Sequence, residues 1–259
     1  MIEVPKEFQK RERDPYPITN KIEFEYWFIQ KFKEVDPILE WEFLPITWTE
    51  IQRFANQSLR NKLQNWLNEL PKKRYFTIVQ HDHGIEFDLS HLDILVYASG
   101  KYNPEYYPIP LIYKDETLKQ EKEKDLTLSF IGNNTHPVRK QLEEIYYNVY
   151  LTSYDRNNFK DLINRSLFSL CPRGYGETSF RIQEALQCGS IPVYVSDYFI
   201  EPFNIPFETY GIKVHLQQVN KIDKLVQIDT NKLAAAGKKI YQKYFTYEGC
   251  FNTIINTLK

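Results

Sequence analysis

Apolar and polar positions along the chain alternate between two rhythms. Runs of β-branched and aromatic residues, Arg74–Gln80, Leu92–Ala98, Leu126–Gly132 and the apolar stretches between Asn164 and Asp197, predict buried strands. Between them lie stretches of helical period. The first spans Ile22–Phe32; the second runs through Ile51, Phe54, Leu59, Leu63 and Leu67, with Thr49 as its cap and Pro71 as its stop. Another opens on Pro137, a short one spans 158–163, another opens near Thr178 or Ser179, and a last period covers Lys232–Leu258, broken by Gly237 and Gly249. A short strand is expected at 214–216, and the Pro-rich stretch after residue 102 reads as an extended path. Strands alternating with helices predict α/β architecture, parallel sheets flanked by helices, built as two facing lobes. The charged run 114–125 separates them, giving an N-terminal lobe over 1–120 and a C-terminal lobe over 121–259 whose last helix can pack back on the first lobe. A solvated helix face explains that run equally well, and residues 1–20, punctuated by three prolines, read as a lead-in.

Composition narrows the chemistry. Thirty-three Lys and Arg against thirty-four Asp and Glu leave a formal charge of −1, so no bulk field holds nucleic acid, and an anion needs a local site. Three cysteines without paired spacing, two of them in apolar runs, fit a reducing compartment. The start of the chain has no apolar signal region and no long apolar run follows, so the sequence predicts a cytoplasmic protein without a membrane anchor. Aromatic residues make up 15% of the chain. Tyr26, Trp27, Trp41, Trp48, Tyr106 and Tyr107 offer stacking surfaces for a glycan, although core packing accounts for them as well.

The densest local site is C-P-R-G-Y-G-E-T-S-F-R, residues 171–181, between two predicted strands. Its glycines allow close backbone approach, and a helix N-terminus at Thr178 or Ser179 offers unpaired N–H groups. Arg173 and Arg181 add planar cationic forks suited to phosphate oxygens. Positive charge at a helix start opposes the dipole unless an anion intervenes. Glu184, three residues beyond Arg181, can accept bonds from a ribose or pair with Arg181. In the first half, His81, Asp82, His83 and Gly84 follow a buried strand, where open α/β sheets place ligand groups.

The run L-C-P-R-G-Y-G-E-T-S-F-R-I-Q-E-A-L-Q-C-G-S-I-P-V-Y-V-S-D, with E-P-F after it, closely resembles the signature of exostosin-family glycosyltransferases, inverting enzymes with two Rossmann-like lobes of the GT-B type. F-I-G-N-N-T-H-P-V-R-K-Q-L resembles that family's first donor-lobe unit, and Y-F-T-I-V-Q-H-D-H-G is similar to its H-D-x-G element. The resemblance implies a UDP-sugar donor held by the second lobe and a glycan acceptor held by the first. On it, Arg173 and Arg181 contact the diphosphate, Glu184 the ribose, and Gly132 and Arg139 flank the donor; Gly174, Tyr175, Thr178 and Ser179 complete the donor turn. Inverting transfer needs a base, for which Asp82 is the first choice, then His83 and His81. No third metal ligand joins the two histidines at suitable spacing and no D-x-D is present, so no metal or other cofactor is expected. A noncatalytic nucleotide- or carbohydrate-binding protein and a nucleotide-sugar hydrolase or phosphorylase are the competing readings.

Overall fold

The computed structural model describes residues 1–9, 23–113, 122–146, 150–151, 159–225 and 229–259. The expected lobe boundary near residue 120, most of the charged run and most of the N-terminal lead-in lie outside the described residues.

The first part contains α1 (Phe24–Val35), β1 (Glu42–Phe43), α2 (Trp48–Phe54), α3 (Gln57–Asn68), β2 (Arg74–Val79), β3 (Asp93–Ala98) and β4 (Tyr106–Pro108). The second contains β5 (Leu126–Ile131), α4 (Pro137–Ile145), β6 (Tyr150–Leu151), α5 (Phe159–Arg165), β7 (Ser166–Pro172), α6 (Phe180–Gln187), β8 (Ile191–Ser196), β9 (Ile212–His215), α7 (Ile222–Leu225), α8 (Thr230–Tyr244) and α9 (Tyr247–Thr257). Two sheets form, in orders β1-β2-β3-β4 and β6-β5-β7-β8-β9, and every pairing is parallel. Helices cover such sheets, so their central strands are buried and mainly apolar, as the fully buried β8 shows. Among the described residues no helix is long and apolar enough to cross a membrane, and Cys171, Cys188 and Cys250 are all buried free thiols.

One apolar cluster joins the two lobes. Phe24, Phe28 and Phe32 of α1 and Phe43 and Phe76 of the first sheet are continuous with Ile182 and Ala185 of α6 and Tyr194 of β8. Helix α9 closes this core against the first lobe: Phe251 lies 4.9 Å from Phe28 and 6.1 Å from Trp27, ring to ring. Gln183 adds a polar tie, accepting the Tyr113 N–H at 2.9 Å and donating to the Tyr113 and Phe245 carbonyls at 2.8 and 3.2 Å.

The long helix expected from Thr49 to Leu67 is two helices. Asn56 caps the second, accepting the Leu59 N–H at 2.9 Å. Thr49 lies inside the first turn of α2 and caps nothing. The cap comes instead from Glu25 of α1, whose Oε2 accepts the Thr49 N–H at 3.0 Å and whose Oε1 accepts the Thr49 hydroxyl at 2.6 Å. The same Oε1 accepts the Gln80 N–H at 2.7 Å, pinning the end of β2. Likewise the helical break expected at Gly237 and Gly249 falls between them, at Phe245–Thr246, where Thr246 caps α9. Gly237 lies inside α8, where a Cβ would come 3.1 Å from Leu186 Cδ2, so the glycine serves close helix packing.

Burial pushes the Glu25 carboxyl up to about 7, from 4.5, against the opposing pull of the Thr49 and Gln80 bonds. The folded protein therefore keeps a proton that the unfolded chain releases between these values. Its contribution to stability is greatest below the lower value and falls as pH rises towards the upper one, by an amount on the order of 3 kcal/mol. Measured by urea unfolding from about pH 5 to about pH 8, Glu25→Gln is expected to flatten that part of the profile; an unchanged slope contradicts it.

Candidate active site at the seam of the two lobes

Parallel strands deliver their loops to the same edge of each sheet, and here the two edges meet. After β2 the chain turns sharply: Gly84 N–H donates to the His81 carbonyl at 3.0 Å, with Gly84 at φ +68°. A Cβ on Gly84 would come 2.8 Å from the Tyr106 ring. This turn presents Asp82, flanked by the His81 and His83 rings, whose centroids are 5.6 Å apart. His83 is exposed, whereas His81 and Asp82 are partly buried.

The facing wall is the turn after β7. Its Gly176 faces the Asp82 carboxylate across the seam, and the Gly176 N–H tends to lower the Asp82 pKa. A Cβ on Gly176 would lie 2.6 Å from the Gly100 carbonyl oxygen and 3.0 Å from Asp82 Oδ1, so only glycine permits this approach. Glu177 then latches the lobes. Its N–H donates to the Gly100 carbonyl at 3.0 Å, and its carboxylate accepts from Lys101 Nζ at 3.2 Å and the Tyr102 N–H at 3.1 Å. Its carbonyl receives the Tyr194 and Ser196 hydroxyls at 2.8 and 2.9 Å.

Between these walls lies a cavity of about 220 Å³ lined by Thr49, Arg53, His81, Asp82 and Tyr175. Burial raises the Asp82 pKa above the ordinary 3.8, against the lowering effect of the neighbouring histidines and the Gly176 N–H. Burial likewise lowers His81, against the opposing charges of Glu86 and Asp82. An aspartate of raised basicity in a partly desolvated cleft is suited to accepting a proton.

The donor-side residues are close together. Ser179 caps α6, accepting the Arg181 N–H at 3.3 Å, and Thr178 beside it is buried. The arginines are, however, already engaged. Arg181 pairs with Glu184, donates to the Ile131 carbonyl at 2.8 Å and lies 4.6 Å from the Phe159 ring centre. Glu184 is buried and also receives the Tyr113 hydroxyl at 2.5 Å. The charge conflict at the α6 start is therefore relieved internally, and by itself it does not require an anion. Arg139 is buried beneath the turn, donating to the Pro172, Arg173 and Asn133 carbonyls at 2.9, 2.9 and 2.8 Å, a scaffold tie that fixes Arg173 and the Gly132–His136 loop relative to each other. A Cβ on Gly132 would come 2.8 Å from the Phe130 ring.

Arg173 differs from these. It pairs with Asp197 at the end of β8, yet its Nε is buried with no hydrogen-bond partner. Thr135 Oγ1 is also buried and unpartnered, 3.4 Å from where a Cβ on Gly174 would sit. Two orphaned donor groups beside a glycine turn and a helix start can receive oxyanion oxygens.

Thr49, Arg53, Thr135, Glu177 and Asp197 belong to this site, although the sequence marks Thr49 only as a helix cap and gives the other four no role in it. Thr49 and Arg53 carried a readable signal, an i, i+4 spacing on one helix face, and Asp197 sits directly beyond a predicted strand. Among the described residues no three His, Cys, Asp or Glu side chains converge as a metal-ligand set.

Residues 102–228 match the Exostosin GT47 domain. The match covers just under half of the chain's length. Exostosin-1 of Drosophila melanogaster is 48% identical over 50 residues, covering 19% of this chain and 7% of that protein. A probable glucuronosyltransferase of Oryza sativa subsp. japonica is 36% identical over 77 residues, covering 29% of this chain and 18% of that protein. The exostosin-1 homolog of Caenorhabditis elegans is 32% identical over 97 residues, with 35% and 25% covered. The chain thus matches at most a quarter of each of these relatives. Among solved structures, TarM aligns over 77% of this chain and 53% of its own at a TM-score of 0.45 and 11% identity. An alpha-glucosyltransferase in complex with UDP and a 13-mer DNA aligns over 92% and 84% at 0.43 and 12%.

Proposed function

We propose that this chain is an inverting glycosyltransferase that moves a sugar from a UDP-sugar to a hydroxyl of a glycan acceptor without a metal ion. One observation carries the reading: Asp82 faces the R-G-Y-G-E turn of the exostosin domain across a cavity, its Oδ1 only 3.0 Å from where a Cβ on Gly176 would sit. In the proposed reaction Asp82 takes the proton of the acceptor hydroxyl as its oxygen bonds to the anomeric carbon. The bond from that carbon to the UDP oxygen breaks on the opposite face, which inverts the configuration. Arg173, the Thr135 hydroxyl and the N–H groups opening α6 hold the departing diphosphate, with Asp197 displaced from Arg173 as the anion arrives. Arg181 and Glu184 keep the places near diphosphate and ribose that the family resemblance suggests, and reach the donor only by exchanging their mutual pair for it. That internal pairing favours a second reading, a noncatalytic nucleotide- or carbohydrate-binding protein; UDP binding without transfer from any donor selects it.

A thermal-shift screen of nucleotide sugars in the presence of EDTA tests the donor site. UDP-sugars, including UDP-glucuronic acid and UDP-xylose, are expected to raise the melting temperature, because a ligand of the folded state stabilises it by about 2.7 kcal/mol at a hundred times its Kd. Arg173→Ala is expected to remove the shift. No shift with any uridine nucleotide, or one that appears only when Mn²⁺ or Mg²⁺ replaces EDTA, contradicts the proposal.

A further inference from the structure

Among the described residues the aromatic side chains are hidden with few exceptions. Of nineteen tyrosines, seventeen phenylalanines and four tryptophans, the exposed ones among the described residues are Tyr102, Tyr175 and Tyr198, at 49%, 67% and 55%. Trp48 is fully buried, and Trp27, Trp41 and Tyr107 pack against the core shared by the lobes, so the surfaces expected there for glycan stacking are core. All three exposed rings follow the C-terminal ends of strands, after β3, β7 and β8, around the seam that holds Asp82.

Two of them meet across that seam. The Tyr102 and Tyr198 rings, one from each lobe, stack on one another with centroids 5.6 Å apart at 16°, leaving their outer faces and edges to solvent. Their backbones are fixed: the Tyr102 N–H is held by the Glu177 carboxylate at 3.1 Å, and the Tyr198 N–H by Asp197 Oδ1 at 3.2 Å. Leaving about half of each residue in water forgoes burial that nearly every other described aromatic residue obtains. Their chain neighbours are polar and partly exposed, Lys101 paired with Glu177 and Asp197 paired with Arg173. The turn whose Glu177 holds Tyr102 is also the one whose Tyr175 lines the Asp82 cavity, so one turn ties the pair to the reaction cleft.

We infer that Tyr102 and Tyr198 form a platform on which a pyranose ring of the acceptor glycan stacks, leaving its neighbouring sugar unit to reach Asp82. Flat aromatic faces fit the axial C–H face of an equatorially substituted, β-linked sugar, while Lys101 and Asp197 can bond its ring-edge hydroxyls. The inference rests on the proposed function and assigns the acceptor subsite within it.

The test measures binding of cellohexaose and xylohexaose to the whole chain by saturation-transfer NMR and calorimetry, with the UDP thermal shift recorded on the same samples. At least one hexasaccharide is expected to bind the wild type. Tyr102→Ala/Tyr198→Ala is expected to weaken it about tenfold, whereas Tyr102→Phe/Tyr198→Phe retains it and the UDP shift stays the same in both. Neither glycan binding the wild type overturns the platform, as does undiminished binding by the double alanine variant. Loss of UDP shift, glycan binding and melting temperature together in that variant also overturns it, because the pair would then be a lobe latch. Absence of a UDP shift in the wild type instead counts against the donor assignment, and the glycan measurement still decides the platform.

Discussion

Asp82→Asn is expected to lower the turnover number by about 10² to 10⁴-fold, the usual contribution of a positioned base, while UDP affinity is unchanged. The substitution isolates basicity from architecture. An asparagine fills the same space against Gly176, so the turn and the cavity keep their form. The pH dependence gives a second signature. Asp82 must be ionised to accept a proton, and burial raises its pKa above 3.8. Activity is therefore lost on acidification at a higher pH than an exposed aspartate would give, and this acid limb of kcat/KM disappears with the variant. A variant that keeps wild-type turnover removes Asp82 from the reaction and passes the role to His83 or His81.

Gly176→Ala carries the second large effect, and it acts through geometry alone. Its new Cβ would lie 2.6 Å from the Gly100 oxygen, a backbone atom that cannot swing aside, and 3.0 Å from Asp82 Oδ1. Either the turn retreats from the first lobe or the Asp82 loop shifts. Overpacking of this kind costs about 1–3 kcal/mol, and a displacement of about 1 Å between reacting groups costs about 10²-fold in rate. Gly174→Ala is the matched control, since its Cβ would meet Thr135 Oγ1 at 3.4 Å and Arg139 Nη2 at 3.5 Å, ordinary contact distances. A lower melting temperature and lost turnover are expected for the first, and an unaltered melting temperature for the second. Equal melting temperatures in all three proteins contradict the close approach at Gly176.

Both walls of this seam are legible in the sequence because each is a local device. His81–Gly84 is a polar turn ending a β-branched strand, and 173–179 is a glycine turn ending in a serine cap. What escaped sequence reasoning was nonlocal. Nothing in the residues around Thr49 announces that its N–H and hydroxyl are held by Glu25, on another helix, so it reads as a cap when it is a cavity wall. Glu177 looks like one more polar residue of the turn until the fold brings Gly100 and Tyr102 against it. Gly237 reads as a break because propensity penalises glycine in helices, and the close packing against Leu186 that overrides the penalty has no local signature. The arginines show the reverse case: their spacing identifies a charged turn, but Asp197, which pairs with Arg173, lies one strand further on. The matched domain begins at residue 102, so Asp82 and its cavity partners in α2 lie outside it and rest on the geometry of this chain.

The central claim, a base in the first lobe acting on a donor held by the second, is tested most directly by proton NMR of the sugar product. The reaction starts from α-linked UDP-sugars and an oligosaccharide acceptor, with wild type and Asp82→Asn in parallel. A β-linked product that accumulates with released UDP in the wild type and is lost in the variant is the predicted result. An α-linked product, or a β-linked product formed equally fast by both proteins, contradicts the account.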